Sequence, residues 1–205
     1  MKLTRDLRLA FGVETENHGT VQVYSLPIAR STFELYFAEL GAVFNECFRA
    51  GDPKHLSVVG PRIAFAALKK AAMADGTWDA PGGVENGLVN ELIRLTSISV
   101  AGPNGWETHP MALAQSRGIL DEDSAYEILS ALVFTLAASR VGPPKLMEEM
   151  MDVVVRSREW ALISSSVSVT AYLASLTTST EGETSTMKPP SATVSVSLQA
   201  PASKS

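Results

Sequence analysis

The sequence predicts a mainly α-helical α+β fold, and three observations carry that prediction. A period-two apolar pattern near the N-terminus marks strands, apolar spacing of three and four residues from Pro27 onward marks helices, and large apolar residues become sparse after Leu176. The expectation is a single globular domain over residues 1–176, with a β-hairpin at about 2–26 and a bundle-like core of about five to six helices over 31–165. Residues 177–205, rich in Ser, Thr and Pro, read as a disordered tail or linker, because so few apolar side chains cannot offset the entropy of ordering them. A chain of 205 residues with 45% hydrophobic residues is long enough to bury one sizeable core.

The strands come first. Leu3, Leu7, Leu9, Phe11 and Val13 alternate with Lys2, Thr4, Asp6 and Arg8, and Arg5 is the one exception. After the turn-rich "ETENHG" the alternation resumes at Val21 and Val23, so the two runs are expected to pair as a hairpin. Its edges must then be covered or stay polar.

From Phe33 the period changes. Phe33, Tyr36, Phe37, Leu40, Val43, Phe44, Cys47 and Phe48 fall on one helical stripe, and Ser31 with Glu34 has the spacing of a capping box at its start. "RAGDP" supplies a stop near Gly51. A second helix is expected to open at Gly60-Pro61 and run to Asp75-Gly76, and Val84, Leu88, Leu92 and Leu95 mark a third. The stretch 96–110, "TSISVAGPNGWETHP", reads either as a small second hairpin or as a loop. Pro110 opens a short helix to Arg117, and Asp121 caps a longer one whose first turn carries Glu122 and Asp123 beside the positive end of the helix dipole. After "GPP" a last long helix is expected from about 144 to 160 with Leu146, Met150, Val153 and Val154 inward, followed by a short helical turn around 171–176.

The composition excludes several functions. A net charge of -5 argues against a broad nucleic-acid-binding surface, and the most apolar window, 131–139, is far shorter than the ~20 residues that cross a bilayer. The N-terminal "MKLTRDLRLAF" has no apolar signal-peptide core, and one cysteine leaves no intrachain disulfide, which fits a reducing cytoplasm. His18, His55 and His109 lie in turn-like segments and share no metal-ligand spacing. Cys47 sits on the aromatic stripe without a neighbouring histidine, and the acids at 121–123 and 148–149 read as a helix cap and a solvated face. "PGG" and "GPNG" lack the spacing that cradles phosphate. No residue set predicts an enzyme, a cofactor or a metal.

What remains is apolar surface. A hairpin and a few helices leave room for part of the stripe to stay exposed, and such a patch suits a partner helix or self-association. The expected partner-binding residues are Phe33, Tyr36, Phe37 and Phe44, with Met147, Met150 and Met151 as a second, softer surface.

These segments, in their order, resemble the tail assembly chaperones of long-tailed bacteriophages, siphophages and prophages. The similarity runs through "VYSLPIARSTFELYFAELGAVFNECF", "GPRIAFAALKKAA" with "DGTWD", "GLVNELIRLTSISVAGPNGWETHPM", "GILDEDSAYEILSALVFTLAAS" and the Ser/Thr-rich "SLTTSTEGETSTMKPPSA", about residues 20 to 192. No one motif is specific; the order and spacing carry the likeness. Ala29 stands where the family often has a serine, with Ser31 two residues on.

The resemblance implies a non-catalytic protein of the host bacterial cytoplasm that binds and solubilises the tape measure protein, helps recruit tail tube subunits and is absent from the mature virion. It also implies that a longer, frameshifted form in many such phages carries the contact with the tube protein. No nucleic acid or membrane partner is expected. Two other readings compete: a tail or neck component retained in the virion, and a phage factor that binds and inhibits a host protein.

Overall fold

The computed structural model describes residues 7–48, 53–103, 105–141, 152–156, 158, 160–164 and 168–177. The α+β expectation is met. Strand β1 (Leu7–Thr15) and strand β2 (Gly19–Ser25) form the hairpin, with Phe11 opposite Val23 and Val13 opposite Val21. The turn between them needs Gly19, whose φ of 63° lies in the left-handed region that other residues resist. Thr15 fastens the same turn, its hydroxyl donating to the Gly19 carbonyl and accepting from the His18 amide.

The sheet is wider than the hairpin. Strand β3 (Thr96–Gly102) and strand β4 (Gly105–Pro110) form a second hairpin, and β3 pairs antiparallel with β2 through Val23 opposite Ile98. Strand β5 (Ala161–Ser164) pairs antiparallel with β1, placing Leu7 opposite Ser164. The order is β4-β3-β2-β1-β5. The span given to helices up to residue 165 is thus corrected at its end, where residues 161–164 cover the edge that β1 would otherwise leave open.

Helix α1 (Arg30–Leu35) follows β2, and α2 (Phe37–Phe48) follows α1 after a break at Tyr36. The Ser31 capping box does not form. The helix starts two residues earlier, from Ala29 without a side-chain cap, and Glu34 closes instead on the Arg30 guanidinium one turn back. Helix α3 (Pro53–Ala74) corrects the start expected at Gly60-Pro61: the helix is already under way and Pro61 lies inside it. Proline forfeits one backbone bond there, and the loss is tolerated where packing fixes the segment, since Gly60 lies directly against the ring of buried Phe134.

Residues 85–89 wind as one π-turn, closed by the Val89 amide on the Val84 carbonyl at 3.0 Å, and run into α4 (Asn90–Arg94). Val84, Leu88 and Leu92 face the core as their spacing predicts. Helix α5 (Met111–Ser116) starts after Pro110, and α6 (Glu122–Val141) is capped by Asp121, whose carboxylate accepts from the Ser124 amide at 2.7 Å. Of the expected last helix, residues 152–156 are described and helical, with Val154 buried but Val153 40% exposed, so Val153 does not face inward. Helix α7 (Val169–Thr177) takes the place of the short turn expected at 171–176. Leu146, Met147, Met150 and Met151, the acids at 148–149 and the tail from 178 onward lie outside the described residues.

The two faces of the sheet are covered by different parts of the chain. Leu9, Phe11, Val13, Val21, Val23 and Ile98 point to one side and share a single core with Leu40, Val43, Leu68, Ile128 and Phe134 of the helices. Tyr24 points to the other side, where its ring meets that of Tyr172 on α7 at 6.4 Å.

Candidate partner-binding surfaces

The break at Tyr36 divides the aromatic stripe. Its backbone leaves the helical region (φ -109°, ψ 26°), so α2 restarts on a new phase and the three- and four-residue spacing no longer keeps one face. Phe33 and Tyr36 are in the core, 8% and 5% exposed, and Phe44 is half-buried. Phe37 is 51% exposed and Leu35 69% exposed. The expected interface of Phe33, Tyr36, Phe37 and Phe44 is therefore reduced: two of its members are core residues, and Leu35, which the stripe omitted, is exposed like Phe37. The Phe37 ring is held edge-on by Phe33 at 5.7 Å. The Phe48 side chain and the three methionines of the second expected surface lie outside the described residues.

Tyr36 is fixed from three directions. Its hydroxyl donates to the Gly82 carbonyl at 2.9 Å, its ring lies against Gly87 in the π-turn, and burial, with a smaller push from the Glu39 carboxylate, raises its pKa. Glu39 in turn accepts from the Thr77 hydroxyl at 3.2 Å, which ties the start of α2 to the end of α3. Leu35 and Phe37 thus flank a tyrosine that is anchored in the core.

A second apolar surface lies where α3, α5 and α6 meet. It is an open groove of about 330 Å³ lined by Phe65, Leu120, Ala125 and Leu129 together with Gln115 and Tyr126. Tyr126, 41% exposed, meets the Phe65 ring edge-on at 5.3 Å, and Phe65 meets Trp78 at 6.0 Å. Lys69 continues this row, its ammonium 5.4 Å from the Trp78 ring centre. The amide of Phe65 donates to the hydroxyl of fully buried Ser130 at 3.2 Å, so α3 and α6 are pinned together beneath the groove. Asp121 and Glu122 also line the groove. Hydrogen bonds from the Ser124 amide and hydroxyl hold the Asp121 carboxyl below its ordinary pKa.

Periodicity does not point to this groove. Phe65 and Tyr126 come from helices far apart in the chain, and only the packing of α3 on α6 brings their rings together. The one legible signal is Asp121 with its following acids, read correctly as a cap.

Two of the three histidines sit outside their expected turns. His18 is in the β1–β2 turn, but His109 is in β4 opposite Ile98, with Nε2 3.9 Å from a Glu107 carboxylate oxygen, and His55 lies in α3. Cys47 is buried, its thiol donating to the Gly60 carbonyl at 3.7 Å, and burial, helped by Glu46, pushes its pKa up to about 12. Among the described residues no group of three or more His, Cys, Asp or Glu is placed to hold a metal ion, and no helix is long and apolar enough to cross a membrane.

Comparison with known protein families, with curated proteins and with solved structures finds no match. The two apolar surfaces are therefore read from their own chemistry.

Proposed function

We propose that this chain is a non-catalytic tail assembly chaperone of a long-tailed phage, which binds and solubilises the tape measure protein and helps recruit tail tube subunits. The observation that carries the reading is the exposure of Leu35 and Phe37: two large apolar side chains stand in water on either side of Tyr36, on a segment that buried Phe33 and Tyr36 anchor in the core. A client with an amphipathic helix gains by covering such side chains, and an anchored segment keeps the entropy cost of binding low. The order of segments that resembles the chaperone family is the second support. On this reading the protein acts in the host bacterial cytoplasm and leaves before the virion is complete.

The test is co-expression with the tape measure and tail tube proteins encoded beside it, followed by co-purification. Wild type is expected to retain the tape measure protein, and the double substitution Leu35→Asp and Phe37→Asp to lose it while keeping its circular dichroism spectrum. A wild-type chain that captures neither tail protein sinks the proposal. Stoichiometric copies in purified virions would replace it with a structural role.

A further inference from the structure

We propose that the groove between α3, α5 and α6 is a docking site for a basic amphipathic helix of a partner protein. The site is distinct from the Leu35–Phe37 patch, and it stands whether or not the partner belongs to a phage tail.

The shape comes first. A volume of about 330 Å³ is at the small end of ligand cavities, which run from ~300 to ~1,000 Å³, so the groove accepts a few side chains rather than a whole small molecule. Most of its lining is apolar, and α6 supplies half of the lining residues, with Phe65 from α3 and Gln115 from α5. A helix that presents apolar anchors one turn apart fits such a channel, which is the helix-in-groove mode of recognition.

Charge then selects the occupant. Two of the lining side chains, Asp121 and Glu122, are carboxylates, and none is a base. Asp123 adds a third acid in the same turn. The positive end of the α6 dipole offsets only about half a unit of that charge, so the rim stays anionic.

The aromatic row supplies the last element. At its far end Lys69 already lies over Trp78, and at the near end the half-exposed ring of Tyr126 has Glu122 one turn before it on the same helix. A lysine or arginine flanking the partner's apolar stripe would lie over Tyr126 and reach the Glu122 carboxylate together. The groove asks for a helix with an apolar stripe and a cationic shoulder, and it disfavours one with an acidic shoulder.

The experiment uses the full chain and two labelled helical peptides with the same leucine stripe, one flanked by lysines and the other by glutamates, read by fluorescence anisotropy. The lysine peptide is expected to bind and the glutamate peptide not to. Tyr126→Ala and Glu122→Lys should each weaken binding by at least about tenfold. Glu34→Lys, an equal charge change on α1, should leave binding within about twofold of wild type. Circular dichroism and thermal melts of each variant show whether it is folded. Equal binding of the two peptides, or equal losses from Glu122→Lys and Glu34→Lys, would overturn the proposal, because attraction would then be non-specific. So would a dimer in analytical ultracentrifugation that Tyr126→Ala dissociates, since a second copy would then be what covers the groove.

Discussion

The hydroxyl of Tyr36 occupies the space that a side chain at Gly87 would need: a Cβ built on Gly87 falls 1.6 Å from that oxygen and 2.7 Å from the ring carbon that bears it. The contact falls within the π-turn that precedes α4. The wider turn carries a glycine past the tyrosine, and the tyrosine hydroxyl reaches the Gly82 carbonyl just beyond. Gly87→Ala is expected to lower stability by about 2–4 kcal/mol, through overpacking and a displaced hydrogen bond. Tyr36→Phe should recover only part of this, since the ring carbon stays too close. Urea denaturation of the two single variants and the double variant measures the coupling, and an unperturbed Gly87→Ala protein would show that the contact is not as described.

Gly60 stands in the same relation to Phe134. A Cβ there would meet the Phe134 ring at 2.5 Å, and that ring is 1% exposed with no space to swing into. The expected cost of Gly60→Ala is about 1–3 kcal/mol. In the background of Phe134→Leu the same substitution should cost less than it does alone, which denaturant midpoints can test.

Asp121 gives a pH dependence with a defined sign. Its folded pKa lies below the ordinary carboxylate value, so the stability it contributes is present above that value and is lost as pH falls through its own lower one. Asp121→Ala should therefore lower the Tm at neutral pH, with a gap to wild type that narrows steadily in acid. A gap that stays constant across the titration would mean that the cap acts through shape and not through charge.

Cys47 offers a probe of opening. With its pKa pushed up to about 12, only about one thiol in 10⁴ is ionised at pH 8. Labelling by a thiol reagent should be slow in buffer and fast in urea, and its rate should rise with destabilising variants such as Gly60→Ala. Fast labelling of the native wild type would place Cys47 nearer to solvent than the Gly60 contact allows.

The elements with strong periodicity were legible in the sequence. Alternation through Phe11 and Val13 and through Val21 and Val23 gave the first hairpin, and the spacing of Val84, Leu88 and Leu92 gave the buried side of the π-turn and α4. The misreadings share a cause, which is that local signals were overruled by distant partners. Pro61 looked like a helix start because proline is tolerated there, but the packing of Gly60 on Phe134 keeps the helix continuous through it. The stripe from Phe33 to Phe44 assumed an unbroken helix, and Tyr36 interrupts it to reach Gly82. Residues 161–164 carry too short a pattern to announce a strand, and their pairing is decided by β1, far away in the sequence. The groove was illegible for the same reason: Phe65 and Tyr126 become neighbours only in three dimensions.

The position of β5 has a consequence for biosynthesis. Strand β1 leaves the ribosome well before the neighbour on its outer edge, residues 161–164, with more than a hundred residues between them in the chain. At roughly 5–20 residues per second the nascent chain carries that open edge for about 7–30 s, together with any helices that have formed around it. Completion of the sheet is thus a late, long-range closure, slow in the sense that high contact order imposes. A protein proposed to shield another from aggregation passes through a period in which its own first strand needs shielding.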